Sequence, residues 1–91
     1  MPDNTHTIEL INDIIKRMEM LMNDTSVPKN VRTAVAEAKT KLGGQGDYTV
    51  RISDAIYCID GVSNDINLPP QARTAIWNIL SMLESIKEQE Q

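Results

Sequence analysis

Ninety-one residues, 41% apolar and 24% charged, suffice for one small globular domain over 1–91 and bury only a limited core. A net charge of −4 with no block of Lys or Arg speaks against nonspecific binding to a phosphate backbone, and a single cysteine, Cys58, excludes an intrachain disulfide. No apolar stretch approaches a membrane span, the N-terminus lacks the features of a signal peptide, and cysteine usage fits a reducing compartment, so a cytoplasmic location is expected.

Four amphipathic segments follow one another. Ile8, Ile11, Ile14, Ile15, Met18, Leu21 and Met22 recur at steps of three and four, which predicts a helix over about 5–23. Asn4, Thr5 or Thr7 is the expected cap at its start. Val31, Ala34, Val35, Ala38 and Leu42 predict a second helix over about 28–42, ended by Gly43 in the left-handed conformation. Residues 43–46, Gly-Gly-Gln-Gly, form a flexible joint. Asp47 is the expected cap of a third helix, about 48–62, whose stripe is Ile52, Ala55, Ile56, Ile59 and Val62, with a weak last turn at Gly61. Tyr48 to Ser53 has a strand-like composition, but the helical period continues through Ile52. Ala72, Ala75, Ile76, Ile79, Leu80, Met82, Leu83 and Ile86 predict a fourth helix over about 69–87, beyond which the polar tail should fray. Pro28 and Pro69 are placed at the first helical position, where a missing N–H costs nothing.

The chain also repeats itself at an offset of 41 residues (Asp24 to Asp65) without a gap. Asn23-Asp24, Pro28 and Arg32-Thr33-Ala34 recur as Asn64-Asp65, Pro69 and Arg73-Thr74-Ala75, and Ile11, Asp13, Ile15 and Leu42 match Ile52, Asp54, Ile56 and Leu83. Copy one covers about 8–42 and copy two about 47–87. A period near forty signals a helical repeat, and two units fall short of the three or so that an open solenoid needs. The expected fold is therefore all-α: two helical hairpins related by the repeat and packed as a four-helix bundle, alone or as a homodimer.

An Asp, an apolar-Pro pair, then Val-Arg-Thr-Ala or Ala-Arg-Thr-Ala resembles the turn and second helix of a HEAT repeat. That resemblance implies ion pairs joining Asp24 and Asp65 to Arg32 and Arg73. Asp24 through Pro28, Val31-Arg32, Leu68-Pro69, Arg73-Thr74, Ile76 through Ile79 and Leu83-Glu84 also resemble the archaeal uncharacterised protein family 0147. This second resemblance covers the chain from the first helix to Glu84 and implies a small, cytoplasmic, all-helical protein. It carries over no catalytic or binding residue.

Chemistry finds little support in the residues. His6 is the single histidine and lies in the N-terminal segment; Cys58 has no second thiol, so neither a metal nor any other cofactor is expected. No histidine in a folded segment can serve Cys58 as a base, and the glycines at 43–46 lack the Lys-Ser/Thr of a phosphate loop, so enzyme activity is not expected. Trp77, Tyr57 and Met20 fall off the apolar stripes, and Arg73 stands four residues before Trp77, where its guanidinium can lie over the indole. Either these side chains cover the edges of a wide bundle, or they form a contact surface for a protein partner or a second copy. A protein interaction module or adaptor is the first expectation. The alternative is a nucleic-acid-associated factor using Lys29, Arg32, Lys39, Lys41 and Arg73, which the acidic balance disfavours.

Overall fold

The computed structural model describes residues 5–90, with side chains through Gln89. Four helices follow in order: α1 (Thr5–Met22), α2 (Lys29–Leu42), α3 (Tyr48–Asp60) and α4 (Pro70–Glu90). No strand occurs among the described residues. Each helix packs against its two neighbours in a ring, α1 on α2, α2 on α3, α3 on α4 and α4 on α1, while the diagonal pairs stay apart. The bundle measures 44 × 20 × 20 Å, a cross-section about two helices wide, so the ring is closed and no open stack forms.

Burial recurs at the 41-residue offset. Ile11, Ile14, Met18, Val27, Val31, Val35, Ala38 and Leu42 are buried, and so are their counterparts Ile52, Ala55, Ile59, Leu68, Ala72, Ile76, Ile79 and Leu83. Leu21 is buried, whereas its counterpart Val62 is only half-buried. Phe is absent, Tyr57 and Trp77 are exposed and Tyr48 only borders the core, so aliphatic side chains, methionine and alanine fill the interior. Such side chains allow close helix approach with well-defined rotamers.

The two intra-copy turns share one hydrogen-bond plan. Asp24 N–H donates to the Leu21 carbonyl and Val27 N–H to the Asp24 carbonyl; Asp65 N–H and Leu68 N–H repeat these bonds to Val62 and Asp65. Pro28 and Pro69 lie one residue earlier relative to their helices than expected. Pro28 is extended at φ −54°, ψ 146°, and its carbonyl accepts the first helical bond from Arg32; Pro69 does the same for Arg73. Each therefore occupies the cap position, and Pro70 takes the first helical place in copy two. There, too, a proline lacks only an N–H that the helix would leave unpaired.

Three helix ends depart from expectation. Gly43 ends α2 at φ −85°, outside the left-handed region, with its N–H on the Lys39 carbonyl; the positive φ belongs to Gly46, at 107°. An L side chain is strained there, so glycine is needed at 46 rather than at the helix end. α3 stops at Asp60, where Gly61 opens the turn. α4 runs through Glu90, three residues past the expected end at 87, and Ile86 is the last side chain it buries among the described residues. Of the proposed caps, Asn4 lies outside the described residues and Thr7 lies buried inside α1. Asp47 caps α3 as expected, accepting from Thr49 N–H at 2.8 Å.

Arg51 fixes the joint between the copies. Its Nε and Nη2 both donate to the Leu42 carbonyl, at 3.0 and 2.6 Å, and its guanidinium lies 4.7 Å from the centre of the Tyr48 ring. One side chain thus satisfies the end of α2 from the second turn of α3. Arg51→Ala should lower stability by about 1.5–3 kcal/mol in urea melts, the range for hydrogen bonds made by charged groups. Arg51→Lys should recover only part of it, since an ammonium lacks the planar fork.

Candidate interaction surface

The repeated aspartates are turn residues first. Asp24 Oδ1 accepts from Ser26 N–H at 2.9 Å and from Ser26 Oγ at 2.6 Å. Asp65 Oδ1 accepts from Asn67 N–H at 2.8 Å, and its Oδ2 accepts from Asn30 Nδ2 at 2.9 Å. The expected ion pairs take another form. Among the described residues neither arginine comes within 4.0 Å of either carboxylate; Arg32 Nε donates to the Val27 carbonyl at 3.1 Å and Arg73 Nη2 to the main-chain carbonyl of Asp65 at 3.3 Å. A short Asx-type turn uses the carboxylate locally and leaves its own carbonyls for the long arginine. Arg73 Nε is buried without a partner, while the corresponding atom of Arg32 is bonded.

Both carboxyls are held below their ordinary range. For Asp24 the main cause is the Ser26 hydroxyl, then the Ser26 N–H, with Arg32 adding a smaller effect. For Asp65 it is the Asn30 amide, then the Asn67 N–H, with Arg73 smaller again. A carboxyl lowered in the fold contributes stability that is present above its unfolded value, near 3.8, and is lost as the pH falls through the lower folded value. Denaturation midpoints measured from pH 5 downwards should therefore drop below about pH 4, and the drop should be shallower in Asp24→Asn with Asp65→Asn.

The off-stripe side chains are exposed: Tyr57 at 83%, Met20 at 74% and Trp77 at 59%. They do not form one patch with Arg73. Ala72 and Ala75 turn towards α1, and Trp77 lies roughly 200° round the helix from Ala75, on the far flank of α4. Arg73 turns to the Asp65 carbonyl and is not stacked on Trp77; the cation–π pair among the described residues is Arg51 with Tyr48. Met20 instead borders a groove of about 220 Å³ between the end of α1 and the start of α4. Leu21, Ala72 and Ala75 line its apolar part, and Arg17, Asp24 and Gln71 its polar part.

Sequence reasoning missed Ile66, 89% exposed in the turn before α4, and Val50, 58% exposed on α3. The signal for Ile66 was available: copy one carries Thr25 at that place. Val50 and Tyr57 stand seven residues apart, two turns along one face of α3.

The basic residues are partly committed elsewhere. Lys39 pairs with Glu19 at 3.1 Å, and Arg32 and Arg73 serve the turns. Asp13 is exposed and pairs with Arg17 at 3.4 Å. His6 lies exposed in the first turn of α1, and Cys58 is a half-buried free thiol. Among the described residues no three His, Cys, Asp or Glu gather as a metal site, and no helix is long and apolar enough to cross a membrane.

The model of an uncharacterised protein family, UPF0147, matches residues 1–86. The chain belongs to this family. A UPF0147 protein of Methanothermobacter thermautotrophicus is 44% identical over 88% of this chain and 79% of its own length. One from Methanocaldococcus jannaschii is 39% identical over 87% of this chain and 86% of its own. Two crystal structures share the fold. A protein described as of unknown function superposes with a TM-score of 0.81 at 37% identity, covering 86% of this chain and 90% of that one. A UPF0147 protein from Thermoplasma acidophilum gives 0.80 at 32% identity, covering 86% and 93%. The four-helix architecture is thus shared with solved structures, and these relatives bring no activity with their names.

Proposed function

We propose that the chain is a non-enzymatic, cytoplasmic protein interaction module, an adaptor whose contact face is the outer side of α3 and α4. The supporting observation is the exposure of Tyr57 at 83% and Trp77 at 59% on adjacent helices. Large aromatic side chains left in water contribute nothing to the core, and Trp and Tyr are enriched at the centres of protein interfaces. Val50, on the same face of α3 as Tyr57, extends the apolar area.

Affinity capture from native cells with the parent chain and with Trp77→Ala, Tyr57→Ala tests the proposal. A protein partner retained by the parent and lost, at least about tenfold, in the double variant is expected for aromatic hot spots. Identical capture by both proteins would remove the aromatic face from consideration. Recovery of nucleic acid with steeply salt-dependent retention would replace the adaptor by the basic-residue alternative.

A further inference from the structure

The 41-residue offset relates two seams of the ring, and they are not alike. At the α2–α3 seam Asn30 reaches Asp65 across 2.9 Å and Val31 is fully buried. The corresponding residues of the α1–α4 seam are Gln71, Asp24 and Ala72. Alanine fills less space than valine, and the Asp24 carboxylate turns back onto Ser26 instead of crossing to α4. Met20, 74% exposed, stands at the rim where the closed seam has Gly61. This seam is therefore packed at its floor, where Leu21 and Ala72 are buried, and keeps a groove above it.

We infer that this seam is covered by the same seam of a second copy, related by a two-fold axis that crosses the groove beside Met20. The charges on the groove carry the choice of occupant. Arg17, on α1, and Asp24, in the turn just beyond its end, both line the groove, with Met20 and Leu21 between them in the chain. Such an axis sets Arg17 against the partner's Asp24, and the reciprocal pair forms by symmetry. The exposed Met20 then enters the partner's groove beside the half-buried Ala75. Both charged groups have capacity to spare. Arg17 uses only Nε, on Asp13, and its side chain is 47% exposed. Both bonds from Ser26 fall on Asp24 Oδ1, and Oδ2 accepts from no donor among the described residues. A uniformly acidic or basic ligand would meet a like charge at one end of the groove, whereas a second copy meets an opposite charge at both. Such self-complementarity is the requirement of a two-fold interface. This surface lies on the other flank of α4 from Trp77 and does not depend on the adaptor face.

Sedimentation equilibrium of the full chain over a concentration series tests the inference. The parent should associate to a dimer. Met20→Glu, which puts a carboxylate into the apolar centre of the interface, should be monomeric throughout. Arg17→Glu, which opposes carboxylates at both ends, should raise the dimer dissociation constant about tenfold or more. Both positions are exposed, and circular dichroism should show the parent's helix content in each. Trp77→Ala with Tyr57→Ala should leave the dimer unchanged. In a Cys58→Ser background, Met20→Cys should be joined into covalent dimers by a short bismaleimide, while Val50→Cys should not. A parent that is monomeric at every concentration overturns the proposal and leaves the groove to another occupant. A dimer as tight in Met20→Glu as in the parent overturns it as well.

Discussion

Four short amphipathic helices that depend on one another's apolar faces are the constraint on which everything else rests. Isolated helices of 13 to 21 residues are marginal in water, since the cost of nucleating a turn is recovered only by packing. Val31, Val35 and Leu42 of α2 and Ile52 and Ile59 of α3 are fully buried, and α1 and α4 contribute Ile14, Met18, Ile76, Ile79 and Leu83 to the same core. Closing the ring, α1 onto α4, removes the open ends that a two-unit stack would leave in water.

The turns transmit that constraint to the surface. An aspartate, an apolar residue and a proline reverse the chain twice by the same hydrogen bonds, and the arginine of the following helix is drawn onto the turn's carbonyls. Charge at these positions serves geometry. The lowered carboxyls follow from local donors, with the arginines secondary, so their shifts mark tight turns and not a catalytic pair. The free capacity of the molecule lies elsewhere, on the aromatic flank of α3 and α4 and in the groove bordered by Met20.

Departures from the repeat are where the surface acquires character. A perfect duplication would seal both inter-copy seams alike. Val31 against Ala72, Asn30 against Gln71 and Gly61 against Met20 make one seam tight and leave the other as a groove. Trp77 faces outward where copy one has Ala36, and Ile66 where it has Thr25. In each case the core position beside the substitution keeps its partner, so the fold tolerates the change while the outside differs. Residues free of the demands of packing can be held for contacts outside the chain.

The four helices, their order and nearly all of their buried positions were legible in the sequence, because a stripe at steps of three and four states which side of a helix must leave water. The 41-residue offset likewise identified the pairs of buried residues, and Asp47 announced its cap. Side-chain partners were not legible. Arg32 and Arg73 choose turn carbonyls over nearby carboxylates, Arg51 reaches back nine residues to Leu42, and Asn30 crosses to Asp65 in the other copy. Met20 looked equivalent to Trp77 and Tyr57 by its angle on the helix, yet the packing of α1 on α4 assigns it to a groove of its own. Periodicity describes one helix at a time and so determined what each segment buries. Which groups meet across helices depends on crossing geometry and on competition among several acceptors within reach, and only the tertiary structure decided it.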